Sequence, residues 1–379
     1  MKAEVIVIGA GPAGSWLAYN LAKNEVNVLI LEKESWPRYK TCGGAVSKKT
    51  LDLIEEKDIK LPDFIVNNKV NKFEFRFDYE DSFSFNYEGK GIHLVNRDKF
   101  DDFLLQKACQ AGAIFKNKEE VIDISILDKK VEVITENNSY ECEIIVGADG
   151  ANSRISNLLN LAPDNISLNK GNTIELELKY ENLEDIPLDK DKILIDFGLI
   201  PVGYGWVFPK KNQLSIGLGY LKQVGKINLR KKINNYLKNL NINIKPDNLI
   251  YRGHPLPVFG DVSREIKMAG RRFLLIGDAA HLVDPMIGEG IYYACLSAEL
   301  AAEVILKRIN KYNYDLSLYK TLVEAELYSK FSSARKLADL FYNNYGYFKN
   351  FISLKPELLN IFLEVVQGNS SFEKIFAII

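Results

Sequence analysis

The sequence has 379 residues, of which 47% are hydrophobic and 26% are charged. Its length predicts two or three domains, and its composition excludes disordered and fibrous proteins. The 49 Lys and Arg residues nearly balance the 50 Asp and Glu residues, which argues against a protein that binds nucleic acid through phosphate contacts.

The first predicted elements form a βαβ unit. Glu4–Ile8 is predicted as a strand, Ser15–Asn24 as an amphipathic helix and Asn27–Leu31 as a second buried strand of a parallel sheet. Between the first strand and the helix, GAGPAG at residues 9–14 fits GxGxxG, whose glycines permit a tight turn, approach of a pyrophosphate and packing of helix on strand. Glu32 closes the second strand, where its carboxylate can accept the ribose hydroxyls of a dinucleotide.

The middle of the chain changes pattern several times. Residues 63–95 predict antiparallel strands, because Lys72–Phe77 alternates polar and apolar residues. The remaining elements predicted up to residue 260 are a helix at Asp98–Gly112, strands at Val131–Thr135, Ile144–Ala148, Thr173–Tyr180, Ile193–Phe197 and Leu214–Tyr220, and a basic helix near 226–240.

The last third returns to the first pattern. Arg272–Gly277 is predicted as a strand of the parallel sheet, followed by a helix at Gly290–Asn310. The final 65 residues or so are predicted to be helical, either resting on a membrane interface or covering the second domain. We therefore predict two interleaved domains, formed by 1–62, 96–165 and 262–310 and by 63–95 and 166–261, with a helical region at 311–379.

The first residues and the cysteines indicate an intracellular protein. Lys2 is followed directly by a strand, without the layout of a signal peptide. Cys42, Cys109, Cys142 and Cys295 form no CxxC pair or cluster with His, so neither a disulfide framework nor a metal site is predicted. No apolar run reaches about 18 residues, which predicts no membrane-spanning helix. We expect a cytoplasmic protein, with peripheral contact at the inner face of the cell membrane left open.

Two later segments identify the dinucleotide. IIVGADGANS at 144–153 is a strand that ends in Asp149-Gly150, and FLLIGDAAHLVDPMIGEGI at 273–291 begins with a strand that ends in Gly277-Asp278. With GxGxxG, they resemble the p-hydroxybenzoate hydroxylase-like group of flavoproteins over most of the chain. The resemblance implies an α/β fold, with a Rossmann-type FAD-binding domain and an interleaved antiparallel-sheet substrate domain. It also implies that Asp278 binds the ribityl chain of FAD, and that Arg97 contacts FAD rather than forming a surface salt bridge.

The residues that the resemblance assigns to FAD are Gly9, Gly11, Pro12, Ala13, Gly14, Glu32, Lys33, Cys42, Gly43, Gly44, Ala45, Arg97, Val121, Asp149, Gly150, Gly277, Asp278, Gly288, Gly290 and Ile291. The sequence departs from the group at Ser156, where an Arg is usual, and it has no second GxGxxG. The electron donor, NAD(P)H or ferredoxin, is therefore not predicted.

Two further segments resemble the geranylgeranyl reductase family, including its digeranylgeranylglycerophospholipid reductases. PRYKTCGGAV at 37–46 matches the family's P-x(n)-CGG loop beside the flavin, and GYGWVFPK at 203–210 matches its YxWxFP strand. The resemblance implies a substrate site at Tyr204, Trp206, Phe208 and Pro209, with catalytic roles for Cys42, Tyr204 and Trp206.

The chemistry of the family gives these residues a physical role. Tyr204, Trp206 and Phe208 share one face of a strand, and their rings can stabilise a cation that develops on an alkene. That face can equally be ordinary core. Cys42 is a proton donor, a gate, or a small residue that fits under the flavin ring.

The resemblance implies an FAD-dependent reductase that saturates the geranylgeranyl C=C bonds of a lipid precursor in membrane lipid biosynthesis. Reduction would take a hydride from flavin N5 and a proton. The alternatives are an FAD-dependent monooxygenase of an aromatic or lipid substrate, and a non-enzymatic prenyl-binding protein of the same fold.

Overall fold

The computed structural model describes residues 1–180, 188–222, 225–242, 249–309 and 311–379. These residues form four β-sheets and eleven α-helices, joined by short 3-10 turns. The predicted mixture of a parallel sheet, an antiparallel-type sheet and C-terminal helices is confirmed. Parts of the predicted 166–261 segment and Asn310, the last residue of the predicted helix at Gly290–Asn310, lie outside the described residues. The division into two interleaved domains stays a prediction.

The first layer is a six-stranded sheet. In spatial order its strands are β18 (Ala269–Gly270), β19 (Phe273–Leu275), β12 (Ile144–Gly147), β1 (Val5–Ile8), β2 (Val28–Glu32) and β8 (Ile114–Asn117). All neighbours are parallel except β18 and β19. Every residue of β1, β2 and β12 is buried, which explains their continuous apolar sequences.

Helix α1 (Pro12–Ala22) lies against α3 (Arg97–Gln110) and α6 (Ile291–Ile309). The prediction that this helix is amphipathic is wrong, because every residue except the half-buried Asn20 is buried. A helix enclosed by a sheet and two other helices has no face toward solvent, so its apolar residues are distributed on all sides and not along one stripe.

The second layer is a seven-stranded sheet. In spatial order its strands are β17 (Arg252–Pro257), β13 (Lys170–Lys179), β16 (Gln213–Tyr220), β15 (Gly203–Pro209), β14 (Lys192–Phe197), β5 (Lys72–Phe77) and β6 (Asp81–Asn86). Its neighbours are antiparallel, as predicted, except that β5 and β14 are parallel. The chain passes through the first layer between these two strands and returns in the same direction.

Two further sheets have three strands each. One is formed by β3 (Ala45–Val46), β7 (Ile92–Val95) and β4 (Val66–Val70), and the other by β9 (Val121–Ile126), β10 (Val131–Thr135) and β11 (Ser139–Cys142). The other helices are α2 (Lys48–Glu55), α4 (Arg154–Leu158), α5 (Leu229–Asn239), α7 (Leu318–Val323), α8 (Ser329–Asn343), α9 (Tyr345–Leu354), α10 (Glu357–Gln367) and α11 (Phe372–Phe376). None of the helices in the described ranges is long and apolar enough to cross a membrane.

The two faces of the seven-stranded sheet have different partners. Helix α5 covers one face, where Tyr236 donates to Asp196 at 2.6 Å and packs with the outward residues of β13 and β16. Helices α8–α11 pack over the other face, and the ring of Phe362 in α10 lies 6.2 Å from that of Phe75 in β5. The C-terminal helices therefore cover the second sheet, which was one of the two predicted roles, and contact with a membrane stays a prediction.

Candidate functional site

A cavity of about 920 Å³ lies between the two large sheets and the C-terminal helices. This volume is near the upper end of the range for ligand sites, about 300–1,000 Å³. One end is formed by the loops after β1, β2 and β12, and the other by β5, β14, β15 and α10. The predicted site residues that line it are Gly9, Gly11, Pro12, Ala13, Glu32, Lys33, Cys42, Gly43, Gly44, Ala45, Arg97, Val121, Asp149, Gly150, Tyr204, Trp206, Phe208, Asp278, Gly288, Gly290 and Ile291.

Three predicted site residues lie outside the cavity lining. A Cβ on Gly14 would stand 1.9 Å from the carbonyl oxygen of Gly9, so this glycine permits close packing of α1 on β1. Gly277 has a φ of +57° and donates its N–H to Ser297 Oγ at 3.0 Å. Pro209 is buried at the end of β15, paired with Leu214 of β16. These three residues shape the backbone next to the cavity without lining it.

The glycine loop between β1 and α1 forms the wall at the polar end. Gly9 has a φ of +103°, and a Cβ there would meet the Ala148 carbonyl oxygen at 2.4 Å. Gly11 is different, because the nearest atom to its added Cβ is the side-chain Nη2 of Arg38 at 3.5 Å. Helix α1 starts at Pro12 without a side-chain cap, so its first N–H groups are free for an anion. The loop therefore offers open space and donors, which fit the pyrophosphate of FAD.

Glu32 connects this loop to the end of β2. Its Oε2 accepts the Ala10 N–H at 3.0 Å, and its Oε1 accepts the Glu34 N–H at 3.1 Å. Each carboxylate oxygen keeps a second lone pair, so ribose hydroxyls can still bind. The carboxylate thus holds the loop in shape and faces the cavity.

Arg97 forms a buried ion pair in the cavity wall. Its Nε and Nη2 donate to Asp101 at 2.7 and 2.9 Å, and Arg38 donates to the same carboxylate at 3.2 Å. Arg97 and Asp101 have exposed fractions of 8% and 0%, which excludes the alternative of a surface salt bridge. The contact between Arg38 and Asp101 joins the start of α3 to the loop at 33–44.

The turn after β12 is organised by Asp149. Its carboxylate accepts Ser153 Oγ at 2.6 Å and the Arg154 N–H at 2.7 Å, so it fixes the start of α4. Burial raises the pKa of this carboxyl above its usual range. Ser156, where the flavoprotein group has Arg, donates its N–H to Ser153 Oγ at 3.0 Å and faces the protein interior.

The other end of the cavity is apolar. Besides the three aromatic residues of β15, its walls are formed by Phe73, Phe75, Ile92, Ile193, Ile195, Phe197, Val283, Met286, Ile287, Phe362, Leu363 and Val366. The two ends meet at the CGG loop, because a Cβ on Gly43 would lie 2.6 Å from the ring of Phe208. A ligand at the polar end therefore reaches the apolar space beside Cys42 and Gly43.

Tyr204, Trp206 and Phe208 form a row along the cavity. Successive ring centroids are 6.3 Å apart, and the Trp206 ring lies over Gly217 of the neighbouring strand, where a Cβ would meet it at 2.1 Å. The Tyr204 hydroxyl donates to the Ile287 carbonyl oxygen, and burial raises the pKa of this phenol. The rings line the cavity, while the hydroxyl is occupied.

Lys40 and His254 lie in contact at the wall of the cavity. Burial lowers the pKa of Lys40 to about 8, although Asp278 nearby acts in the opposite direction. Burial, followed by the charge of Lys40, lowers the pKa of His254 to about 3. The ring nitrogen of a neutral imidazole can accept a hydrogen bond from the Lys40 ammonium group, so the pair carries one positive charge, which faces the cavity near Asp278.

The position of several residues in the cavity wall could not be predicted from the sequence. Lys40 and His254 are 214 positions apart, and Phe362, Leu363 and Val366 belong to a C-terminal helix without a motif. Glu175 had no signal either, because it lies in an alternating strand, where a polar residue between apolar ones is assigned to solvent. No cluster of three potential metal ligands occurs within the described residues.

Comparisons with known proteins agree with this arrangement. A family model described as "FAD binding domain" matches residues 2–183. The digeranylgeranylglycerophospholipid reductase of Thermoplasma volcanium is 30% identical over 85% of this chain and 83% of its own. The geranylgeranyl diphosphate reductase of Rhodobacter capsulatus is 26% identical over 93% of this chain and 88% of its own.

A solved structure supports the fold. A geranylgeranyl bacteriochlorophyll reductase-like protein from Thermoplasma acidophilum superposes with a TM-score of 0.77 and 23% identity, over 90% of this chain and 88% of that one. The polar end of the cavity, with its open glycine loop and free helix N–H groups, fits FAD.

Proposed function

The chain belongs to the geranylgeranyl reductase family of FAD-dependent oxidoreductases, and from this premise we propose that it saturates the C=C bonds of a geranylgeranyl chain in a lipid precursor. The reaction is proposed to serve membrane lipid biosynthesis. The proposed FAD contacts are the predicted cofactor residues, and the proposed substrate contacts are Tyr204, Trp206, Phe208 and, through the strand that it ends, Pro209.

The observation that carries the proposal is the two-ended cavity. Its polar end suits a dinucleotide, and its apolar end suits an isoprenoid chain. The Cys42–Gly43 loop stands between the two ends, against the rings of Trp206 and Phe208. Aliphatic and aromatic side chains form most of the apolar end, which favours an isoprenoid chain over a phenol.

An isolated alkene has no carbonyl group that activates it. Bound and reduced, FAD supplies a hydride to one carbon of the double bond. The residues of the chain hold the alkene, exclude water and deliver a proton to the other carbon. The faces of Tyr204, Trp206 and Phe208 can stabilise positive charge on that carbon by about 0.5–2 kcal/mol each when desolvated.

Cys42 lies at the junction of the two ends and is a candidate proton donor. If its thiol donates the proton, Cys42→Ala should lower turnover by about 100-fold, which is the lower range for loss of a general acid, while FAD stays bound. Turnover is measured as double bonds reduced per protein. Full turnover of both Cys42→Ser and Cys42→Ala would show that Cys42 only gives space to the flavin ring.

The proposed function is tested by the mass of the lipid chain. Purified protein is incubated anaerobically with dithionite, which replaces the natural donor, and with a geranylgeranylated glycerophospholipid. We expect the chain mass to rise by one H2 for each double bond. No gain in mass, with bound FAD verified by its absorbance, would contradict the proposal and direct attention to aromatic substrates under oxygen.

A further inference from the structure

Glu175 in β13 is a buried acid on the cavity face of the seven-stranded sheet. Its exposed fraction is 1%, and it lines the cavity together with Cys42 and Trp206. Glu175 Oε1 accepts a hydrogen bond from Ser215 Oγ at 3.0 Å, and Ser215 Oγ in turn accepts one from Trp206 Nε1 at 3.4 Å. Glu175 Oε2 has no hydrogen-bond partner among the described residues.

We propose that Glu175, rather than Cys42, is the proton donor to the alkene, an inference that rests on the proposed reduction of C=C bonds and leaves Cys42 the role of a gate or of a small residue under the flavin ring. Glu175 lines the cavity together with the CGG loop and the aromatic row. A buried polar oxygen without a partner is costly, so its persistence here calls for an explanation such as a bound group or a catalytic role.

Three other acids of the cavity wall are already occupied, and a fourth, Asp278, is the proposed contact of the FAD ribityl chain. Both oxygens of Glu32 accept backbone N–H groups, and Asp149 accepts Ser153 and the start of α4. Glu289 pairs with Lys49 at 2.5 Å and accepts Ser47 Oγ at 2.7 Å. Glu175 differs from these three, because one of its oxygens has neither a hydrogen-bond nor an ion-pair partner among the described residues.

Five charged or titratable groups surround the Glu175 carboxyl. They are Glu177 of the same strand, Arg252 of β17, Lys210 after the end of β15, and Tyr39 and Cys42 of the loop at 33–44. Burial raises the pKa of Glu175 to about 7, with Lys210, Ser215 and the Cys42 backbone N–H acting in the opposite direction and Glu177 adding to the rise. The carboxyl group is therefore protonated on the acid side of neutrality and can give up its proton near pH 7.

The step balances in atoms and electrons. The two electrons of the alkene π bond and the hydride from reduced FAD form the two new C–H bonds, with one proton taken from the Glu175 O–H. The alkene is reduced, the flavin is oxidised, and Glu175 is left as a carboxylate. Solvent then returns the proton while the flavin is reduced again by the donor.

Glu175→Gln keeps the shape and the acceptor for Ser215 but has no acidic proton. In anaerobic single turnovers with dithionite-reduced protein and a geranylgeranyl lipid, we expect the wild-type rate to fall as the pH rises through about 7, where Glu175 ionises. The variant should be slower by about 100-fold or more at low pH, with no such fall. Glu177→Gln is the control for loss of a neighbouring carboxylate, because Glu177 lies outside the cavity and pairs with Lys210 at 3.1 Å. It should keep a fast rate that still falls with pH, at a lower pH than in wild type, since the Glu177 charge adds to the rise of the Glu175 pKa.

A second readout needs no substrate or FAD. The folded protein binds the Glu175 proton more tightly than the unfolded chain does, so wild-type stability should fall as the pH rises between the unfolded pKa and about 7. Glu175→Gln removes this loss, and its melting temperature relative to wild type should therefore increase over that pH range. A constant difference in melting temperature would contradict the titration of Glu175.

The outcomes separate this inference from the proposed function. If wild-type protein reduces no chain, the proposed function fails and this inference with it. If wild type reduces the chain and Glu175→Gln matches its rate and its pH profile, only the role of Glu175 is overturned. A slow variant whose rate still falls through the same pH range would also overturn it, since the titrating group would then be another residue.

Discussion

Gly11→Val should yield a folded protein that binds FAD weakly or not at all. Gly11 has extended backbone angles, φ −70° and ψ −177°, which valine adopts readily, and no backbone atom lies near its added Cβ. The side chain would instead occupy the space above the loop, where we place the pyrophosphate. Overpacking costs about 1–3 kcal/mol, which corresponds to a loss of FAD affinity of roughly 5- to 150-fold.

The measurement is the FAD absorbance that stays with the protein after desalting, together with its thermal melting. Gly346→Val is the matched control, since Gly346 lies in α9 with no atom within 4 Å of an added Cβ. Gly14→Val should lose both FAD and fold, because its Cβ would overlap the carbonyl oxygen of Gly9. A Gly11→Val protein that retains one FAD per chain would show that the pyrophosphate binds elsewhere.

Trp206→Ala should retain FAD but reduce geranylgeranyl chains more slowly by about 30-fold. The indole is 8% exposed and lies between Gly217 and the CGG loop, so its loss opens the cavity at the junction of the two ends. Loss of one desolvated cation–π contact accounts for up to about 2 kcal/mol, and that energy corresponds to about 30-fold in rate. The rate is measured in single turnovers of the reduced protein, with FAD content determined in parallel.

Trp206→Phe separates the aromatic face from the N–H group. Phenylalanine keeps a ring over Gly217 and lacks the indole donor to Ser215, so it should recover most of the lost rate if the face is what matters. An unchanged rate in Trp206→Ala would assign Trp206 to the ordinary core. A variant that loses its FAD would instead show that the indole supports the cofactor end.

The elements around the glycine loop could be predicted because local sequence determines them. The strands β1, β2 and β12 are short runs of buried apolar residues next to glycine turns, and the structure confirms them to within one residue. The alternation at 72–77 also predicts β5 correctly, since Phe73, Phe75 and Phe77 are buried. Its parallel pairing with β14 was not predictable, because it depends on a chain path more than a hundred residues long.

The residues on the cavity face of the second sheet could not be recognised as buried from the sequence. In β13, Ile174, Leu176 and Leu178 face α5, and the alternate position holds Glu175, which alternation alone assigns to solvent. The loop that carries Tyr39 and Cys42 lies over that part of the face and makes it an interior surface. Burial of Glu175, and with it the shift of its pKa, therefore depends on packing between segments that are distant in the chain.

The central claim, that reduced FAD in this cavity gives its electrons to an isolated isoprenoid double bond, is tested most directly by a single-turnover form of the chain-mass experiment. Reduced protein is mixed without oxygen with one equivalent of a geranylgeranyl lipid, and flavin absorbance and chain mass are followed together. We expect the absorbance of oxidised FAD to return as one H2 is gained, and no return with the fully saturated lipid. Flavin that stays reduced with the geranylgeranyl lipid, and is reoxidised only when oxygen is admitted, would contradict the claim.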